Sequence, residues 1–433
     1  MPFVPTGKAD LRELLEGIGI DDVEQLFACI PARARLKDRL KGEGPLDELA
    51  LRRRFQPTHS RHVFLGGGIY YHFIPAVVDA IASRQEFLTA YTPYQPEISQ
   101  GTLQAAFEFQ SMMACLTGMD ASNASLYDGG TALAEAAAMA TRAGDISRVV
   151  VTRSTNPAYR AVLKTYFRNN SDVEIIEAPF DSSTGKTDAE TLKGLLDRSS
   201  AFFIQQPNYF GIIEDLDNIA PIAASAGFWG VTVSEAISLG LLRKPGSYGC
   251  DVVMGEAQSL GNPVNAGGPL LGFFCTKRDH IRRMPGRIVG LTKDLAGNRA
   301  FCLTLSTREQ HIRREKATSN ICTNEGLCAL RAAVYLAALG PRGLRDVALQ
   351  CAAGARSLMA ALKTKGIEPA FSSGVFNEFV IHMDEATRSK LQKQGIAFGI
   401  PIKKHYPEMH EGILVSVTEM NTPEDIKCLM ELL

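Results

Sequence analysis

Between residues 91 and 101 the chain reads Tyr91-Thr92-Pro93-Tyr94-Gln95-Pro96-Glu97-Ile98-Ser99-Gln100-Gly101. Two phenols, an amide and a carboxylate this close together can donate, accept or shuttle protons. The same stretch also suits a packed aromatic turn before a helix, stiffened by Pro93 and Pro96. A second polar run, Thr307 to Thr323, contains Arg308, Arg313 and Arg314. These guanidinium groups could bind a carboxylate, a phosphate or an acidic partner surface, and at least one is expected to be structural or solvated. His311 in the same run reads as a packing residue. Thr318, Ser319 and Asn320 offer hydroxyl and amide groups that suit a phosphate. Equally, Ser319, Asn320 or Thr323 would cap a helix starting near 324.

Three further patterns bear on phosphate chemistry. Ser183-Thr184-Gly185-Lys186-Thr187 contains a GKT triplet, but a phosphate loop needs glycine where Phe180 stands. It is read as a surface turn, with Thr187 capping the next helix and Glu190 completing a capping box. Gly129-Gly130-Thr131 lies between a strand-like Ala124–Tyr127 and an alanine-rich helix over 131–143, where free backbone N–H groups can cradle a phosphate. It also reads as a tight strand–helix turn. Gly66-Gly67-Gly68 is a flexible turn that could face a ligand.

The elements that must carry these residues follow from periodicity. Residues 1–60 are expected to form a helical arm. Asp21 and Asp22 are placed to cap a helix bearing Val23, Leu26, Phe27 and Ile30 on one face, stopped by Pro31. A second short helix carries Leu11, Leu14 and Leu15, and the run Leu36 to Arg54 is charged and amphipathic. A helix over 102–117 ends at Gly118. Short β-branched runs then alternate with helices at 149–151, 173–176, 202–204, 230–233, 252–254 and 272–275, which predicts βαβ units and a doubly wound, mainly parallel sheet. That large α/β domain is expected over 61–325. A small α+β C-terminal domain over 326–433 opens with a helix at 326–339. It includes strands at 376–382 and 412–417 and ends in a helix with Pro423 in its first turn.

Composition excludes several classes. With 433 residues, 45% hydrophobic and 21% charged, the chain is long enough for a substantial core and is not disordered. Balanced charge, 46 Lys+Arg against 47 Asp+Glu, gives no polyanion-binding excess, so no nucleic-acid partner is expected. No apolar run approaches a membrane span and no signal peptide is visible, so a cytoplasmic protein without a membrane partner is expected. Nine cysteines without a paired spacing read as buried reduced thiols, and no metal site is expected.

The order of elements, a Gly-Gly-Thr helix start opening a doubly wound domain before a small C-terminal domain, resembles the aminotransferase-like, fold type I pyridoxal phosphate enzymes. Such enzymes need a Schiff-base lysine shortly after a core strand, and an aspartate for the pyridine nitrogen. Here the strand near 229–233 is followed by Glu235, a weak stand-in, and no lysine lies between 245 and 276. Lys244 and Lys277 flank that window and are misplaced. The outline is present and the nucleophile is missing. His72 is placed to face this degenerate site.

The segments 91–101 and 307–323 are similar to signatures of the glycine cleavage system P-protein family. So are Phe64–Gly68, Gly255-Glu256-Ala257-Gln258-Ser259-Leu260-Gly261 and Gly267-Gly268-Pro269, so the resemblance covers nearly the whole chain. In this family the P-protein is one long chain with two related halves, or two subunits. This chain resembles the first half, the alpha subunit, whereas the cofactor lysine belongs to the second. The resemblance implies glycine decarboxylation with pyridoxal phosphate carried by a partner beta subunit and none bound covalently by this chain. The aminomethyl group would pass to the lipoyl arm of H-protein, and paired αβ units would form a tetramer.

By the same resemblance, Tyr91, Tyr94, Gln95 and Glu97 would be contributed to the partner's interface site, near glycine or the lipoyl arm. Thr318, Ser319 and Asn320 would reach in trans to the phosphate of partner-bound pyridoxal phosphate. Two other readings stay open: a self-sufficient pyridoxal phosphate enzyme with an atypical lysine, and a non-catalytic scaffold or regulatory subunit.

Overall fold

The computed structural model describes residues 7–36, 42, 44–55, 62–143 and 145–433. These fall into two compact units, one within 1–58 and one within 59–433. In the first, helix Lys8–Gly17 buries Leu15, and helix Glu48–Arg54 is capped by Asp47. The helix expected from Val23 to Ile30 is only a 3-10 turn, Val23–Phe27. Asp22 accepts from the Glu24 N–H at 3.0 Å, a local side-chain bond that starts a turn without extending a helix. Residues 37–41 and 43 of the expected amphipathic run lie outside the described residues.

The second unit is built on a seven-stranded sheet. Its strands in chain order are β1 (Ala121–Ser122), β2 (Arg148–Thr152), β3 (Glu174–Ala178), β4 (Ser200–Gln205), β5 (Phe228–Val233), β6 (Val252–Glu256) and β7 (Gly272–Thr276). Across the sheet they run β1-β7-β6-β5-β4-β2-β3. β7 is antiparallel to both its neighbours and the other pairs are parallel. Strand alternation sorts the apolar side chains onto two faces. Val150, Phe202, Ile204, Val231 and Val253 feed one core. Val149, Val151, Phe203, Val252 and Met254 feed the other.

Helix α1 (Gln100–Thr117) ends at Gly118, whose left-handed φ of 74° closes the C-terminal turn. Helix α2 is Gly129–Ala143. Before it, the strand expected at Ala124–Tyr127 is only a single bridge from Leu126 to Gly272, with β1 lying just ahead of it. Helix α3 (Gly326–Lys363) opens the C-terminal region and breaks at Gly340-Pro341. It is long and apolar enough to cross a membrane by those criteria alone. Its apolar face is instead shared between two cores: Ala332 and Leu336 join the large-sheet core, and Ala355, Leu358 and Leu362 the C-terminal one.

The C-terminal region has an antiparallel sheet of Glu378–His382, Gly412–Ser416 and Ile400–Pro401. The last helix, Pro423–Leu432, is capped by Thr422 with Pro423 in its first turn, as expected. The helix after the GKT triplet is capped by Asp188, which accepts from Glu190 N and Thr191 N, and not by Thr187. Thr187 is buried and bonds to Glu214 instead. The hairpin Ile288–Lys293 with Arg299–Thr304 was not anticipated. Its signals are the alternating Val289, Leu291, Phe301 and Leu303 around an Asp294–Gly297 turn.

Candidate functional site

Ligands of open parallel sheets lie beyond the carboxyl ends of the strands. In this chain that space is filled by its own side chains. Glu256, the last residue of β6, accepts from the Gly129 N–H at 3.0 Å, the Leu271 N–H at 2.7 Å and the Gln258 N–H at 3.0 Å. Asp128 accepts from the Thr131 N–H at 2.6 Å. The first turn of α2, where a phosphate would sit, therefore carries two carboxyl groups. Burial pushes the Glu256 carboxyl up to about 7, against its three backbone donors.

Beside it, Gln258 bonds both the N–H and the carbonyl of Tyr70. The Tyr70 hydroxyl donates to Glu378 at 2.8 Å, and the Gly67 N–H donates to the same carboxyl at 2.6 Å. Burial raises Glu378 to about 8. His72 lies between Glu235, 3.0 Å from its Nε2, and Glu419, 2.8 Å from its Nδ1. Burial opposes the imidazolium, but Glu235 and the hydrogen bonds with Cys351, Glu235 and Glu419 raise His72 well above its ordinary value. His72 thus lies beyond the end of β5, bonded to Glu235, which follows that strand.

Pyridoxal phosphate does not fit these residues. β6 ends at Glu256 and is followed by Ala257-Gln258-Ser259, with no amine, and the helix N-terminus that would hold a phosphate is already bonded to carboxyl groups. Lys277 pairs with Asp251 at 2.9 Å, at the opposite end of β6. Lys244 lies beside Gly118 and Cys115.

The two polar segments meet elsewhere. Thr92 and Thr323 share a hydroxyl–hydroxyl bond of 3.0 Å, and Thr323 donates to the Tyr91 hydroxyl at 3.2 Å. Arg287 Nη2 donates to the Tyr94 hydroxyl at 2.9 Å, and Arg287 Nη1 to the Cys322 carbonyl at 3.2 Å. The guanidinium carbon also lies 5.2 Å over the Tyr94 ring, and His311 packs edge-on against the same ring at 5.5 Å. Tyr91, Thr92, Arg287, Leu303, Thr323 and Leu330 help line a cavity of about 230 Å³. Arg287 Nε lies 3.5 Å from Glu309 Oε2 as an ion pair, and neither Arg287 Nε nor Glu309 Oε1 has a hydrogen-bond partner among the described residues.

The remaining candidates divide. Tyr91 is 79% exposed and Tyr94 46%. Gln95 and Glu97 face solvent and do not join the Thr323–Arg287 network. Asn320 is exposed and Thr318 half-buried, with the Thr318 N–H on the Arg308 carbonyl. Ser319 is buried, and its hydroxyl accepts from the Ile321 N–H and bonds Glu135. None of Ser319, Asn320 or Thr323 caps α3, which starts after Glu325 without a side-chain cap. Arg308 is structural: it donates to the carbonyls of Met284, Gly286 and Leu305. Arg313 and Arg314 are exposed. Sequence reasoning missed Arg287, Glu256, Glu378 and Glu419, which lie outside the two polar runs.

Residues 1–433 match the profile of the family described as glycine cleavage system P-protein. A protein of Moorella thermoacetica, named probable glycine dehydrogenase (decarboxylating) subunit 1, is 47% identical over 99% of this chain and 98% of its own length. A Thermotoga maritima protein of the same name is 43% identical, covering 99% of both chains. Among solved structures, glycine decarboxylase (P-protein) of the glycine cleavage system, in inhibitor-bound form, superposes with a TM-score of 0.87 at 40% identity. It covers 100% of this chain and 99% of its own. A sphingosine-1-phosphate lyase of Burkholderia pseudomallei shares the fold alone, with a TM-score of 0.63 at 13% identity over 100% of this chain and 91% of its own. The fold is the aminotransferase-like, pyridoxal phosphate fold type I.

Proposed function

The chain belongs to the glycine cleavage system P-protein family, and from that premise we propose that it is the alpha subunit of a glycine-decarboxylating enzyme whose pyridoxal phosphate is carried by a second, lysine-bearing beta subunit. The observation that carries this reading is the pair of carboxyl groups, Glu256 and Asp128, bonded to the first turn of α2. An incoming phosphate would have to displace both and accept their repulsion. This chain instead lends side chains to the partner's site. The cofactor there supplies the electron sink for decarboxylation.

The lent surface is the 91–97 loop with the 318–323 segment. Arg287 bonds the Tyr94 hydroxyl and His311 packs against its ring, so the hydroxyl is held at a defined position for proton exchange. Tyr91 and Thr323 form a second hydroxyl pair at the cavity mouth. Gln95 and Glu97, exposed in this chain, become site residues on pairing. Thr318 and Asn320 are free to turn toward the partner's phosphate. Ser319 is assigned there only by its place in the segment, since its hydroxyl is engaged internally. Lipoylated H-protein then takes the aminomethyl group.

The test is a reconstitution. The chain alone, mixed with pyridoxal phosphate, should give no bound-cofactor absorbance and no glycine-dependent CO2 release. Addition of the beta subunit should restore both. Cofactor binding and turnover by the chain alone would overturn the reading.

A further inference from the structure

The cysteine spacing gave no reason to expect a metal, because no two ligands are near in sequence. The fold supplies a set from three separate segments. His72 follows Gly66–Gly68, Cys351 lies on the second half of α3, and Glu419 follows the strand Gly412–Ser416. One ligand atom from each lies within 4.8 Å of the others. His72 is 6% exposed and Cys351 0%, and the Glu419 side chain is 9% exposed.

We propose that His72 Nδ1, Cys351 Sγ and Glu419 Oε2 form a zinc site. A thiolate, an imidazole and a carboxylate are the donor mixture that zinc accepts and that magnesium or calcium does not. Zinc bonds of about 2.0 Å to N or O and about 2.3 Å to S set tetrahedral edges of about 3.3 Å for N···O and about 3.5 Å for S···O. The Cys351 Sγ to Glu419 Oε2 distance is already 3.4 Å. The His72 Nδ1 to Glu419 Oε2 distance is 2.8 Å and opens by about 0.5 Å on binding.

The second layer is also in place. The other nitrogen of His72 is bonded to Glu235, whose second oxygen accepts from the Ile237 N–H at 2.9 Å. A carboxylate behind the ligating imidazole fixes its orientation and raises its basicity. The second oxygen of Glu419 accepts from the Phe73 N–H at 2.7 Å. Two of the three ligands are therefore aimed before any ion arrives. Zinc takes the thiol as thiolate and the imidazole with Nδ1 unprotonated, so binding releases protons to solvent.

The experiment uses the full chain and zinc alone. After loading and dialysis, metal analysis should find one tightly held zinc per chain. Calorimetry in buffers of different ionisation enthalpy should show proton release on zinc binding near neutral pH. X-ray absorption of the zinc-loaded wild type should show one sulfur among nitrogen and oxygen neighbours. Glu235→Gln should weaken zinc binding about 10- to 100-fold. Cys351→Ser, checked for native circular dichroism, should lose the sulfur neighbour and tight binding. The absence of retained zinc, a first shell without sulfur, or a Cys351→Ser protein that keeps wild-type stoichiometry and sulfur signal would each overturn the proposal.

Discussion

At Glu378 a carboxyl group is buried against the Gly67 N–H and the Tyr70 hydroxyl, and burial pushes it up to about 8. Glu256 is pushed up to about 7 in the same way. Both have an ordinary value of 4.5. From about pH 4.5 upward the unfolded chain gives up these protons and the folded chain keeps them. Stability therefore falls with rising pH, by about 1.4 kcal/mol per pH unit for each group, until its folded value is passed. His72, raised, acts in the same direction, since its stabilisation is complete below 6.5 and lost as pH rises through its folded value. Thermal unfolding should thus be higher at pH 6 than at pH 8.5. Glu378→Gln keeps the hydrogen-bonding shape and removes one ionisation, so its profile should be flatter and should exceed wild type above pH 8. Parallel profiles for the two proteins would contradict the assignment. The residue scale also tests catalysis. Tyr94→Phe and Glu97→Gln in the reconstituted pair should each lower kcat about 10-fold or more with assembly intact. Unchanged turnover would favour a scaffold role. These tyrosines were legible in the sequence because polar groups crowd one short loop. Glu378 and Glu256 were not, because each sits singly at a strand end and gains its meaning only from Gly67 or Gly129, remote in sequence.

At the element scale the sheet was the legible part. Six of its strands, β2 to β7, were placed within about two residues, because strands packed between helices read as short β-branched runs, most of them buried on both faces. β1 escaped notice because it has only two residues. The surface helix Ala189–Leu195 was found but capped one residue early, since Thr187 and Asp188 are both cap formers and only the fold assigns Thr187 to Glu214. How tightly the elements close around the site is seen at Gly211. It has a φ of +79°, and a Cβ added there would lie 1.9 Å from the Glu378 carbonyl oxygen. That backbone approach sets where Glu378 enters the site. Gly211→Ala should cost about 3 kcal/mol, from the left-handed backbone and the clash together. The drop should appear as a lower thermal midpoint. Equal midpoints would mean the strand Glu378–His382 can shift without loss.

On the scale of the whole molecule, balanced charge and a cavity at the meeting of two polar segments suit a protein completed by another chain. Several large apolar side chains at or beside the 91–97 loop are exposed. Ile98 is 80% exposed, Tyr91 79%, Leu88 52% and Tyr94 46%. Neighbouring apolar side chains left in water mark an interaction surface. Each is at or beside the loop that the proposed function sends across the interface, so pairing and site completion would use the same residues. This coupling separates binding from chemistry in one variant series. Ile98→Asp places a charge on an exposed apolar position beside the loop and touches none of the hydroxyl network. It should raise the Kd for the beta subunit about 10-fold or more, measured by sedimentation or calorimetry, with the thermal midpoint of the free chain unchanged. At saturating beta subunit its kcat should return toward wild type, whereas that of Tyr94→Phe should not. An Ile98→Asp chain that pairs with wild-type affinity would place the interface on another face and remove the 91–97 loop from the partner's site.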